Sequence, residues 1–378
     1  MQVFSLSLQY IHIFVLKYCC KFPQKCALLY QNDTDGVLPQ EGCSEKFFFT
    51  ERKSAMFFKK LLLVLLSVLL CLVLVWGTVG AVNLLVYRDY FSGREKVCAI
   101  PDVHKGYTPQ GIGYDEATKT YLFSGYDGKH LTMYLSDGTN ARKLFPLNKD
   151  GSTAKGHGGG ITASGDYVYV TGENLLLVYR MRDLTNAKNG DSVRAVEEVK
   201  VDYATSYCFA DETHLYVGEF YRAGNYETAQ SHYYRTPAGD EHRAIVVCYD
   251  LNENGSLASE VPAFAISVTG LVQGFAVKND TYLLSRSWGL ATAYLEMYAG
   301  LKKSDITVPV GENEIPLYYL DSSNLKQTVD LPPFSEDLDI CGDKVLINFE
   351  SACNKYIAGK FYFADDVVSY PIPDYRTK

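Results

Sequence analysis

Glu336 and Glu350 are the residues of this chain whose types and setting most readily suggest chemistry. Glu336 stands at the start of a first strand and Glu350 just past the end of the second, Val345 to Asn348, with the polar turn Gly342-Asp343 between them, so aligning the repeats puts both at one face. Two adjacent carboxyls can work as acid and base. They can also hold Ca²⁺ together with amide oxygens, or merely form a solvated rim. His157 is the third catalytic candidate, because Gly158, Gly159 and Gly160 beside it let a ligand or backbone approach closely. Gln110, Tyr207, Glu219, Gln273 and Arg286 are ligand-binding candidates. Arg286 suits neutralising one of the glutamates or fixing an anion bidentately. The bland alternatives are that Gln110 and Gln273 satisfy backbone groups and that the tyrosines pack.

A repeated element places these residues. Pro109-Gln110-Gly111-Ile112, His157 to Ile161, Ser206 to Phe209, Val272 to Phe275 and Ser335 to Leu338 each open a short apolar strand, followed by a polar turn and further strands. Spacings near 50 residues read as propeller blades, because one small sheet cannot bury both faces until its neighbours close a ring. The expected fold is all-β: a β-propeller of five blades of four antiparallel strands, with six as the alternative, preceded by one transmembrane helix. Val97 to Ile100 or Asp366 to Tyr370 would complete the last blade. Two intervals are overlong, through insertions at 221–242 and 288–314 that this reading places between second and third strands. Long loops on one face of a repeat array usually border its binding surface. Leu295 to Lys303 suggests a short helix there.

The uncharged run Leu61 to Val82 would extend about 33 Å as a helix, enough for a hydrocarbon core of about 30 Å. Lys59 and Lys60 precede it, and Arg88, Asp89 and Arg94 follow with mixed sign, which puts the N-terminus in the cytoplasm and the repeats outside. Residues 1–55 read as an upstream extension or short cytoplasmic tail, 56–88 as the anchor and 89–378 as an extracytoplasmic propeller at the cell membrane. A cleaved signal peptide is the competing reading, although the run exceeds the usual signal core. From Asp89 onward, 27 basic and 39 acidic residues leave a formal charge of −12, which argues against nucleic acid as a partner. Cys98, Cys208, Cys248, Cys341 and Cys353 show no metal-ligand spacing. Cys98 with Cys341 or Cys353 is a candidate ring-closing disulfide.

His157-Gly158-Gly159-Gly160 copies an oxyanion-loop motif of α/β-hydrolases, but the chain lacks the G-x-S-x-G elbow that motif requires. Val217 to Phe220, Val272 to Gly274, Ser335 to Leu338 and Phe349 to Ala352, together with the Gln110 and His157 segments, resemble a group of uncharacterised secreted or membrane-anchored propellers of Gram-positive bacteria. The chain is more distantly similar to gluconolactonase and senescence-marker propellers. That resemblance implies a central divalent ion held by Glu, Asn and Asp, whereas Gln110, Gln273 and His157 stand near the axis here. The expectation is a propeller binding, and hydrolysing if it is an enzyme, a small polar ligand such as a sugar or lactone. The alternative is a platform for another cell-surface protein.

Overall fold

A computed structural model describes residues 43–375, with side chains from Met56 onward. Residues 1–42, which carry most of the expected extension or tail, lie outside the described residues. The chain divides between Cys71 and Leu72 into two compact units. A single helix, Cys43–Val86, supplies the described part of the first and the start of the second. Within it, Met56–Val86 is long and apolar enough to cross a membrane. Its hydroxyls are turned back on the helix, Ser67 donating to the Val64 carbonyl at 2.8 Å and Thr78 to that of Leu74 at 2.7 Å. Both hydroxyls are thereby satisfied within the helix itself.

The rest of the second unit is a five-bladed β-propeller of antiparallel sheets. From the axis outward, blade 1 is Tyr107–Asp115, Thr120–Asp127, His130–Ser136 and Ala141–Leu147. Blade 2 is Ile161–Ser164, Tyr167–Thr171, Leu175–Arg180 and Glu197–Lys200. Blade 3 is Tyr207–Ala210, His214–Gly218, Ala244–Asp250 and Phe264–Val268, and blade 4 is Val272–Lys278, Thr281–Arg286, Ala293–Ala299 and Leu325–Leu331. Blade 5 takes Ser335–Cys341, Lys344–Phe349 and Asp366–Pro371 from the end of the chain, and its outer strand, Glu95–Ala99, comes from before blade 1. Both segments considered for ring closure are therefore used together, and pairing Glu95 with Ser369 and Ala99 with Asp366 locks the circle.

Three expectations need correction. Leu295 to Lys303 is strand, not helix, and Ala293–Ala299 is the true third strand of blade 4. The second insertion consequently falls between strands three and four. It forms a hairpin, Lys302–Val310 and Asn313–Tyr319, that joins the outer edge of blade 3 by parallel pairing of Ala265 with Leu317. All five propeller cysteines are free, so closure rests on strand pairing and not on a disulfide.

Inner strands of neighbouring blades meet at distances that only glycine permits. A Cβ on Gly160 would lie 2.2 Å from the Cys208 nitrogen, one on Gly113 2.7 Å from the Ile161 carbonyl oxygen, and one on Gly274 2.7 Å from the Asp337 Cα. The exposed edges of these strands are satisfied by side chains of the next blades. Asp337 Oδ2 accepts from the Ile112 and Ile161 amides at 3.3 and 3.4 Å, Asp339 Oδ2 from Tyr114 at 2.8 Å, and Thr162 Oγ1 from Ala210 at 3.0 Å. Burial pushes the Asp337 carboxyl well above the usual range and that of Asp339 up to about 8.

Replacing Gly160 with Ala is expected to destabilise the propeller by about 1–3 kcal/mol through overpacking against blade 3. An unchanged denaturation midpoint would contradict that close approach. A carboxyl whose pKa is raised by folding holds its proton more tightly in the folded state, so its stabilisation is complete below about pH 4 and is lost as pH rises toward 8. Urea melts between about pH 5 and about pH 8 should therefore show the parent protein losing roughly 1 kcal/mol per pH unit relative to Asp339→Asn. Parallel slopes would refute a neutral Asp339.

Candidate functional site

The strand direction of every blade puts the start of its inner strand and the end of its second strand on one side of the ring. Three inner strands carry an irregularity at that end: pairing skips Gln110 between Pro109 and Gly111, Gln273 between Val272 and Gly274, and Glu336 with Asp337 between Ser335 and Leu338. A bulge re-aims a side chain out of the ladder. The same local defect thus presents a polar side chain at corresponding places in blades 1, 4 and 5.

Glu350 follows directly on the second strand of blade 5 and meets two of these features. Gln110 Nε2 donates to its Oε2 at 2.8 Å, and the Glu336 carboxyl is hydrogen-bonded to it. Both carboxyls are nearly buried, at 4% and 7% exposure for Glu336 and Glu350. Burial, then the Glu350 charge, raises Glu336 well above the carboxylate range, whereas burial raises Glu350 to about 7 against the pull of the Lys355 ammonium. The pair is therefore an acid, Glu336, hydrogen-bonded to a partner that titrates near neutrality. Asn348 fixes the geometry from below by donating to the Gln110 carbonyl at 3.1 Å, while its own Oδ1 and the Ser351 hydroxyl are buried without partners.

The rim adds Lys355 and Tyr356, which the sequence does not single out, beside Tyr126 at the end of the second strand of blade 1. Lys355 donates to the Tyr126 hydroxyl and lies 5.2 and 5.0 Å from the centres of the Tyr126 and Tyr356 rings. Tyr356 stacks on Phe334 at 4.5 Å and hydrogen-bonds Glu350. His157 stacks on Tyr126 at 4.8 Å. Partial burial, then Lys355, lowers the imidazole pKa, so at neutral pH it is an uncharged donor or acceptor. Gln110, His157, Glu336 and Glu350 are therefore brought together, with Tyr126, Lys355 and Tyr356 added. Beyond Tyr356 the segment turns through a 3-10 helix, Ile357–Tyr362, and packs on the end of the long helix, where Phe361 and Phe363 lie 5.0 and 5.7 Å from Trp76 and Asn83 bonds the Phe361 carbonyl at 2.8 Å.

The structure places Tyr207, Glu219 and Arg286 elsewhere. Tyr207 is fully buried against Gly218, its hydroxyl without a partner. Glu219, 2% exposed, accepts from the Ile245 amide at 3.2 Å and from His232 Nδ1 at 3.0 Å, while His232 Nε2 reaches the Pro309 carbonyl at 3.2 Å. Burial opposes charge on His232, but Glu219 outweighs it and raises the imidazole pKa, so this pair pins the first insertion to the hairpin of the second. Arg286 pairs with Glu296 and donates to the Gly270 carbonyl at 3.2 Å, and it is Lys355 that stands beside the glutamates. Gln273 is half-buried.

A calcium ion does not suit the Glu336–Glu350 donor set. The Gln110 amide offers Glu350 its N–H and not its carbonyl, Lys355 adds positive charge, and no group of three or more His, Cys, Asp or Glu side chains is arranged for a metal among the described residues.

No protein-family profile and no curated protein matches the sequence. Among solved structures the chain is similar to a luciferin-regenerating enzyme, at 13% identity over 75% of this chain and 95% of that one, with a TM-score of 0.37. It is also similar to the glutaminyl cyclase of Myxococcus xanthus (9% identity, 74% and 97% covered, TM-score 0.33). A third is a Thermus thermophilus protein described as an oxidoreductase (glucose dehydrogenase), at 9% identity with 74% and 99% covered and a TM-score of 0.36. Identities near 10% and scores below 0.5 leave the chemistry to be read from the site itself.

Proposed function

We propose that this chain is a membrane-anchored, extracytoplasmic propeller that binds a small polar ligand at the mouth of its funnel and hydrolyses it there, with a lactone as the favoured substrate class. The observation that carries the reading is the buried, hydrogen-bonded carboxyl pair Glu336–Glu350. Glycoside cleavage by two carboxyls uses separations of about 5–5.5 Å or about 6.5–9.5 Å. A hydrogen-bonded carboxyl pair suits proton transfer to and from a single carbonyl centre instead. Glu350 takes a proton from water as the water oxygen bonds the lactone carbonyl carbon. The ring C–O bond then breaks, and the departing oxygen takes the proton held by Glu336. One water and one lactone become one hydroxy acid, and the pair again holds one proton. Tyr126, His157 and Gln110 would position the sugar ring and its hydroxyls. The anchor fits the span Met56–Val86, and Lys59 and Lys60 at its start favour a cytoplasmic N-terminus, in keeping with the resemblance to membrane-anchored bacterial propellers.

Turnover of an aldonolactone panel should rise with pH through about 7 as Glu350 loses its proton. Glu350→Gln should lower the rate about 10²–10⁴-fold without loss of fold, and Lys355→Met should move the profile to higher pH by removing a charge that favours ionised Glu350. A panel of lactones and sugars giving neither heat of binding nor turnover would sink the reading. Protease added outside intact cells should digest the propeller; protection of the propeller with digestion of the N-terminus would reverse the orientation. A protein-docking platform is favoured by one specific feature, the exposure of Tyr226 on the first insertion and of Leu290 on the loop between the second and third strands of blade 4. Capture of a surface protein lost in Tyr226→Ser with Leu290→Ser, and retained in Glu350→Gln, would establish it instead.

A further inference from the structure

A second polar site lies between blades 3 and 4, on the same side of the ring as the carboxyl pair but built from different residues. A cleft of about 400 Å³ is lined by Arg222, Arg243 and Arg286 with Tyr221, Trp288 and Glu241. That volume falls in the range of small-molecule sites. The three guanidinium groups come from the two ends of the first insertion and from the second-strand end of blade 4.

The arginines are oriented. The Arg222 guanidinium lies 4.2 Å from the centre of the Trp288 ring, which is itself backed by Phe220 and Tyr226, each 5.8 Å away. Arg243 lies 4.9 Å from the Tyr233 ring and 5.8 Å from that of Tyr221. Stacking occupies the face of a guanidinium; Asn225 takes one N–H of Arg222, at 2.7 Å from Nη1, and the Tyr221 and Tyr233 hydroxyls bond Arg243, which leaves the remaining N–H groups of each fork to pair with an oxyanion. Arg286 is neutralised by Glu296, and Glu241 at the rim is engaged by Arg235 at 3.5 Å. Arg222 and Arg243 form no ion pair among the described residues, and Glu227, the carboxylate that feels the Arg243 charge, is engaged by the Gly224 amide and the Tyr233 hydroxyl. Two such cations on a region of formal charge −12 make a local reversal of the field that attracts anions. The cleft wall also holds Leu271 at φ 66°, a left-handed conformation that costs energy for a Leu and concentrates at ligand sites.

We propose that this cleft binds a small oxyanion ligand, its carboxylate or phosphate group held between the N–H edges of Arg222 and Arg243. The site is independent of hydrolysis at Glu336–Glu350. The chain has two tryptophans, Trp76 and Trp288, so in a Trp76→Phe background Trp288 reports the cleft alone. The test uses the full chain in nanodiscs of neutral lipid, titrated with inorganic phosphate and with glucuronate, and compared with nanodiscs containing phosphatidylserine. A saturable change in Trp288 emission that weakens with salt is expected. Its midpoint should rise about ten- to hundred-fold in Arg222→Lys and Arg243→Ala, with Glu350→Gln unaffected. Response to phosphate, glucuronate or anionic lipid identifies the source of the anion. No response to any of the three, or a response unchanged in both arginine variants, overturns the site. Arg222→Lys keeps charge and stacking length, so a folding failure of Arg243→Ala leaves the test intact.

Discussion

Everything in this propeller depends on how five inner strands can meet at one axis. Each presents an edge of amide groups that the sheet leaves unpaired, and a buried unpaired amide costs about as much as a lost hydrogen bond. Glycines at 113, 160 and 274 let neighbouring strands close to backbone contact, and the resulting narrow centre is filled by side chains that accept the stranded amides. Asp337 does this for blades 1 and 2 together. A carboxyl in that position is tolerated because it stays protonated, and its second oxygen has no partner. The ring is thus tied at its centre by groups that are neutral only because they are buried.

The chemistry at the mouth grows from the same irregularity. The residues that interrupt the inner ladders at Gln110, Gln273 and Glu336 sit one step from the glycines or carboxyls that close the axis. Close packing below and a re-aimed polar side chain above come from one local deformation. The carboxyl pair inherits its raised pKa from that setting, since the walls that exclude water from the axis also exclude it from Glu336. The arginine cleft follows the opposite logic. It lies between two blades, where the first insertion and the loop after the second strand of blade 4 supply aromatic rings to hold cations in place.

Much of this architecture was legible in the sequence because inner-strand starts share a polar residue next to glycine, as in Gln110-Gly111 and Gln273-Gly274, at near-regular spacing. The convergence of Glu336, Glu350, Gln110 and His157 followed from aligning those starts. What failed to show did so for physical reasons. Ala293–Ala299 does not read as a strand because Glu296 breaks its apolar pattern, a charge made tolerable only by Arg286 and Tyr298. The hairpin of 302–319 pairs with a strand of another blade, a choice no local pattern records. Lys355 and Tyr356 lie in irregular chain after Glu350, where no period marks which side chains turn inward. Glu219 carried the same signal as Glu350 by position, and its real partner, His232, lies inside an insertion.

The passage from helix to propeller has a mechanical consequence. Only residues 87–94 separate the helix end at Val86 from the closing strand at Glu95, and Tyr87 and Tyr90 within that stretch are buried, the latter against Phe349. There is no leash. A protease offered no slack chain between helix and closing strand has little to grip. Release by cutting at Glu95 or beyond would also remove the strand that closes the circle, so a shed form would be an opened ring. If the helix is set in a bilayer, the propeller works within the thin layer beside it, and its ligands are those that diffuse there.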